Sequence, residues 1–446
     1  MENTLTQEEI IKNKKRNVRI YPFYKMISLD FIFYYAISFL FMSDFKGFSA
    51  STILFADAFY PLFKMLFQIP CTILIEKIGK RNSLVLGNIF LCIDILLMIG
   101  CNSILVFILS NFFFALGYIL KGTIEHNILY DSLPKTEKRS KIFSRVEGIS
   151  SAVFYTIDSI GATLTGFLYI VNPYIPMILC LSFCILSTLI SLQFKHISYV
   201  HLDGAETDDD TDAEETNMSP LESTIQYLKG LSTAFKYILR SRRLNSLILF
   251  NALFSSVILL LVNLRRSLLS DLGFSAIEFG FIFAILGIIA TITSAKTNLL
   301  HKTLKNRVLT YFGIHYAFSI ILLAISALLN FPRSISITII LLALGTQFAI
   351  KGPYTTLIKQ YLNNFSHTSM RIKIHSANIL IECITSTIFT LICSFLLEKI
   401  STAYVILIIG IISFILILLT LEYMKSRVGL KPEQYKYKDI NYHELL

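Results

Sequence analysis

The lysines and arginines of this chain crowd into every second gap between long apolar runs, and that alternation constrains the fold more than any other feature. One set of gaps holds Lys12, Lys14, Lys15, Arg16 and Arg19, then Lys77, Lys80 and Arg81, then Lys135, Lys138, Arg139, Lys141 and Arg145. It continues with Arg240, Arg242 and Arg243; Lys302, Lys305 and Arg307; Arg371 and Lys373; and Lys425 and Arg427. The opposite set offers only Lys46, Arg265, Arg266, Arg333 and Lys399. Loops biased in this way belong to a polytopic helical membrane protein whose basic loops face the cytoplasm. Both termini are therefore expected to be cytoplasmic, in a multi-pass protein of the cell membrane with an even number of spans.

Twelve apolar runs are long enough for a hydrocarbon core of ~30 Å. The first six cover 21–41, 51–75, 84–100, 104–130, 148–171 and 174–194; the second six cover 245–264, 274–295, 308–329, 334–357, 374–397 and 402–424. Composition agrees, since 54% hydrophobic and 16% charged residues leave too little polar surface for a soluble protein of 446 residues. The net charge of +10 is spread over alternate loops instead of one folded module, which argues against nucleic acid as a partner. The basic stretch Lys14-Lys15-Arg16 runs directly into the first full-length span, so no removable signal peptide is expected. The seven cysteines (Cys71, Cys92, Cys101, Cys180, Cys184, Cys383, Cys393) lie in or beside apolar spans with no metal-ligand spacing, and read as small core residues.

The rhythm breaks once. Residues 203–215 are acidic and of low complexity, which reads as a disordered linker. Ser219-Pro220-Leu221-Glu222 then forms a capping box with proline at the first helical position. Leu221, Ile225, Leu228, Leu231, Phe235 and Ile238 follow at helical spacing among Lys229, Lys236 and Arg240. This is a basic amphipathic helix, lying on the membrane surface or packed on protein. The expected organisation is a six-helix bundle over 1–195, a cytoplasmic linker and amphipathic helix over 196–243, and a second bundle with a cytoplasmic tail over 244–446.

Three motifs carry a resemblance. Glu76-Lys77-Ile78-Gly79-Lys80-Arg81, between the second and third runs, resembles the signature loop of the major facilitator superfamily, with Glu76 where aspartate is usual and Thr72 where a glycine is usual. A weaker copy, His301-Lys302-Thr303-Leu304-Lys305-Asn306, falls at the corresponding point of the second half, as a duplicated bundle requires. The stretch from Lys121 to Leu133 (KGTIEHNILYDSL) looks like the S-G-T-x-E-A-x-x-Y-D-S-L segment of bacterial drug and macrolide exporters of that superfamily, with Lys121 and His126 as departures. Gly161 and Gly166 keep part of the exporters' span 5 glycine motif. The resemblance implies an all-α fold of twelve transmembrane helices in two pseudo-symmetric six-helix bundles. It implies secondary transport by alternating access, in which Glu76, Lys77, Gly79, Lys80 and Arg81 form a conformational loop.

Ionisable residues inside the bilayer are costly, roughly 2.5–3.5 kcal/mol each on insertion scales, and mark function or pairing. The candidates are Asp30, Asp57, Lys64, Asp94, Lys121, Glu125, Asp158, Lys351 and Glu382. The resemblance places spans 1, 4, 7 and 10 around the central cavity, and so puts Asp30, Lys121, Glu125 and Lys351 on the substrate path. Lys121 and Glu125 are spaced to pair on one helix face. Asp30 has no opposite charge three or four positions away; it leads the proton-coupling candidates, followed by Asp158 and Glu125. Phe348, Tyr354 and Tyr361 near Lys351 could stack on a planar ligand, or simply pack.

No P-loop, HExxH or G-x-S-x-G is present, so neither a nucleotide-driven pump nor an enzyme is expected, and no cofactor or metal. The expected function is proton-coupled efflux of small amphipathic compounds by a monomer in the lipid bilayer. The alternative on the same fold is an importer of a small organic anion held by Lys121 and Lys351. More remote alternatives are a membrane-embedded enzyme built on His126 and Asp131, or a transport-dead sensor.

Overall fold

The computed structural model describes residues 7–134, 139–195, 220–304, 307–329, 331–365 and 371–428, and among these every regular element is helical. In chain order they are α1 (Gln7–Ser28), α2 (Ser38–Leu40) running into a π-turn (Phe41–Phe45), α3 (Ala50–Asp57), α4 (Phe59–Ile99), α5 (Ile104–Ser132), α6 (Arg139–Val171) and α7 (Tyr174–Ser191). Then come α8 (Pro220–Arg240), α9 (Arg242–Asp271), α10 (Ala276–Ala295), α11 (Thr297–Leu304), α12 (Val308–Leu328), α13 (Arg333–Phe365), α14 (Arg371–Leu397) and α15 (Thr402–Val428). Eleven segments of the described residues are long and apolar enough to cross a membrane.

The remaining run, the first, is not one helix. The sequence predicts continuity over 21–41, but α1 stops at Ser28 and residues 29–37 are non-helical, with Phe33 at φ +66. A left-handed non-glycine residue costs of order 1–3 kcal/mol and persists only where its surroundings hold it. No proline or glycine lies in the break; Asp30 accepts a hydrogen bond from the N–H of Phe31 (2.9 Å), satisfying a backbone donor that the interrupted helix frees. Proline does explain the step between α3 and α4, because Pro61 has no N–H to return to the carbonyl of Asp57.

Within α4, Gly79 takes φ +80 and ψ 158, turning the chain between the second and third spans. The predicted loop is therefore this turn, and a side chain would resist that conformation. Ser103, Ser241 and Ser275 cap α5, α9 and α10, the last in a full capping box with Glu278. Arg265 and Arg266, predicted as loop residues beyond the seventh run, lie inside α9 and are only 3% and 5% exposed. Aromatic rings from other spans cover them, so hydropathy alone ended the span too early. Their removal from the sparse set of loop cations sharpens the charge asymmetry.

Over the described residues the chain packs as two compact units. One comprises Met1–Ile32, Leu66–Ile157 and Met177–Lys229; the other comprises Phe33–Met65, Asp158–Pro176 and Gly230–Leu446. The second unit thus takes in the ends of spans 1, 2, 5 and 6 remote from the basic loops. Of α8, the described side chains Leu231, Ala234, Tyr237 and Ile238 are buried against protein while Lys229, Lys236 and Arg240 are exposed. This half of the amphipathic helix is a packing face. The acidic stretch 203–215 and the side chains of Leu221, Ile225 and Leu228 lie outside the described residues. All seven cysteines are free, six of them buried.

Candidate functional site

The first unit holds Asp30, Asp94, Lys121 and Glu125 of the intramembrane candidates. Asp30, at the break after α1, accepts the Tyr118 hydroxyl of α5 as well as the Phe31 N–H. It lines a small cavity with Ser28, Asn88, Lys121, Cys184 and Ser187, large enough for about one water molecule. Lys121 is buried and its ammonium lies 6.0 Å from the Tyr118 ring centroid. An acid, a base and hydroxyls thus face one enclosed space at an interruption of a spanning helix. Irregular backbone at membrane depth is tolerated where it is buried in protein or lines such a space.

Glu125 does not take Lys121 as its ion pair. It turns to Lys25 of α1, whose Nζ lies 3.1 Å from Glu125 Oε1 and 3.1 Å from Glu147 Oε1 of α6. The Tyr21 hydroxyl donates to Glu147 Oε2 at 2.5 Å. Sequence reasoning missed Lys25 and Glu147, because both sit near span ends and pair across spans. The available signal was that Tyr21 and Lys25, four apart inside an apolar run, share a helix face.

The conformational loop finds its partners in the same unit. Lys80 pairs with Asp131 at 2.8 Å, joining the two sequence motifs, and Arg81 donates to the Leu192 carbonyl at 2.8 Å. Lys77 is exposed, Gly79 makes the turn, and the Glu76 side chain lies outside the described residues. So do the side chains of Thr123, His126, His301 and Lys302, and all of Lys305 and Asn306. Asp94 is buried with the Ser110 hydroxyl donating to it, a structural contact.

The second unit holds the rest. Asp158 is half-buried on α6 beside Ser159, and stands in a different unit from Asp30 and Glu125. Lys351 is half-buried on α13 beside Gly352, where the missing Cβ makes room for Ser294 of α10. Glu382 accepts from the amides of Asn251 and Asn378, and Lys64 supplies an opposite charge to it. Tyr354 donates to Asn251 at 2.6 Å, so its ring is a packed member of this network rather than a free platform. Tyr361 stacks on Phe365.

Arg265 donates to the Leu261 carbonyl (2.8 Å) and Gln347 (3.4 Å) and lies 4.8 Å from the Phe348 ring centroid. Arg266 donates to Asn263 and Ser38 and lies between the Tyr35 and Phe283 rings. Asn263 in turn donates to Asp57. Phe348 was expected near Lys351; its cation in the structure is Arg265.

The described residues form a helical membrane protein with buried acid–base clusters beside an interrupted span. The sequence pattern of the Major Facilitator Superfamily matches residues 26–371, and the chain belongs to that superfamily. It is a secondary transporter and not an enzyme. Similar solved structures include a nucleoside transporter, NupG, with 12% identity over 92% of this chain and 100% of that one, at a TM-score of 0.69. A bacterial homolog of the human lysosomal transporter Spinster shares 13% identity over 98% of this chain and 100% of that one, at 0.64. A POT family transporter shares 14% over 94% and 96%, at 0.61. At these identities the likeness concerns the fold alone. No curated protein sequence matches.

Proposed function

We propose that the protein is a proton-coupled exporter of small amphipathic compounds, a monomer in the plasma membrane with both termini cytoplasmic. The exporter subgroup rests on the segment from Lys121 to Leu133. The observation that carries proton coupling is Asp30, a carboxyl held at a break in span 1 and facing one small cavity with Lys121. A carboxyl beside an ammonium in a small cavity at membrane depth changes its interactions with each proton gained or lost, which is what couples titration to conformation. With the basic loops cytoplasmic, the ends of spans 1, 2 and 5 grouped with the second half are outer ends. Their packing is the contact that alternating access has to break. Asp158 and Glu125 serve as further coupling carboxylates, Lys351 completes the substrate path, and the loop from Glu76 to Arg81 latches the inner side through Lys80 and Asp131.

Everted vesicles containing the wild type, followed with a pH-sensitive dye, test this reading. Adding lipophilic cations or macrolides is expected to trigger proton movement that empty vesicles lack. A panel that moves no protons in the wild type would sink the exporter reading.

The second reading, uptake of a small organic anion, draws support from the burial of Arg265 and Arg266 with one nearby carboxylate, Asp57. Under it, Arg265→Gln should weaken anion uptake by about 30-fold or more, as removing a buried charge partner costs roughly 2–5 kcal/mol. Cation transport measured in the same cells should be untouched. Equal anion uptake by variant and wild type excludes this reading.

A further inference from the structure

We infer that Lys25, Glu125 and Glu147 form a proton-binding cluster beside the Asp30 cavity, with Glu125 as its proton-binding carboxyl. The inference rests on the proton-coupled reading above and adds two residues to it, Lys25 and Glu147.

The geometry is specific. Lys25, 1% exposed, is shared between two carboxylates that come from different spans, each at 3.1 Å. The two acids are not equivalent. Both oxygens of Glu147 are engaged, one by the Lys25 ammonium and one by the Tyr21 hydroxyl, and both partners are donors to an anion. Glu147 is also the more exposed of the pair. Glu125 is deeply buried and has the shared Lys25 ammonium at its Oε1. The geometry thus holds Glu147 by two donors and Glu125 by one.

The chain of charges continues inward. One helical turn from Glu125, Lys121 interacts electrostatically with both Glu125 and Asp30. Glu147, Lys25, Glu125, Lys121 and Asp30 thus alternate in sign from the more exposed acid to the cavity. Three carboxylates face two ammoniums, so a single proton brings the array to neutrality. An uncompensated charge at this depth is strongly unfavourable, and the array is set to hold one proton rather than none or two. Among the described residues, the other titratable groups facing it include Tyr21 and Tyr24 of α1, Tyr118 of α5, and Cys180 and Cys184 of α7, while α4 contributes the neutral amide of Asn88. When Glu125 gains its proton, Lys25 pairs wholly with Glu147; when Glu125 loses it, Lys25 is again shared. Gain of the proton forms one O–H bond on Glu125 and breaks one in the hydronium that supplies it, and loss reverses this.

Infrared difference spectra of the purified protein, recorded on acidification in detergent without substrate, test the cluster. A protonated-carboxyl stretching band is expected in the wild type. It should be lost in Glu125→Gln and moved in its pH midpoint in Glu147→Gln and in Lys25→Arg, a variant that keeps the charge. A band unchanged in Glu125→Gln, or one lost only in Asp30→Asn, overturns the inference and leaves the proton-coupled reading standing. A band lost in Glu125→Gln from a protein that moves no protons in vesicles supports the site and refutes the transport reading instead.

Discussion

Asp30→Asn is expected to abolish substrate-triggered proton movement in everted vesicles while leaving the protein folded. Asparagine has nearly the volume of aspartate. Its carbonyl can still accept from the Phe31 N–H and the Tyr118 hydroxyl, so the break after Ser28 keeps its local hydrogen bonds. The amide cannot gain or lose a proton, and Lys121 loses the carboxylate it faces across the cavity. Energy coupling disappears, but downhill exchange of labelled for unlabelled substrate needs no net proton transfer and should persist. That split separates a coupling residue from one that only holds the fold, for which both activities would fall together. A full proton response in Asp30→Asn would remove Asp30 from the mechanism and leave Asp158 or Glu125 to carry the coupling.

How much of this arrangement could be read from residues alone depends on the range of the interaction. Periodicity and hydropathy locate the spans, and Gly79 marks the turn of the conformational loop, because these are local properties of the chain. The i to i+4 spacing of Lys121 and Glu125 reports only what one helix permits. The actual partner of Glu125 is Lys25, supplied by another span, and no spacing rule contains that information. Arg265 and Arg266 look like loop residues for the same reason: the Phe348, Tyr35 and Phe283 rings that cover them come from other segments. The break at 29–37 is harder still, since it contains no proline or glycine, and only the isolated Asp30 hints that the helix there has another task. Charge pairs across spans are tertiary facts, and here they reassign the partner of Glu125 while leaving the predicted spans almost unchanged.

Gly166→Leu is expected to pry apart α6 and α10 and open the outer side of the carrier. A Cβ at Gly166 would lie 2.4 Å from the Ala276 carbonyl oxygen and 2.7 Å from Ile277 Cα. Those are backbone atoms at the start of α10, so no rotamer change can relieve the overlap. Gly280 meets α6 from the other side, with the Ala162 carbonyl oxygen 2.6 Å from its virtual Cβ. Of the two glycines that resemble an exporter motif, Gly166 is thus one half of a backbone-to-backbone contact, with Gly280 as the half that the motif did not reveal. Overpacking costs about 1–3 kcal/mol, and applied to one conformation that is roughly a 5- to 150-fold shift in population. Ser51→Cys supplies the readout, because Ser51 is buried at the end of the second unit remote from the basic loops and donates to the Ser394 carbonyl. An impermeant maleimide added from outside should label that cysteine faster in the Gly166→Leu background by a factor in this range. Gly148→Leu on the same helix is the control, since a Cβ there meets nothing within 4 Å and the substitution should leave labelling unchanged. Equal labelling in the Gly166→Leu and Gly148→Leu backgrounds would mean that the α6–α10 contact does not hold the outer side closed, and the role of Gly166 would reduce to helix packing.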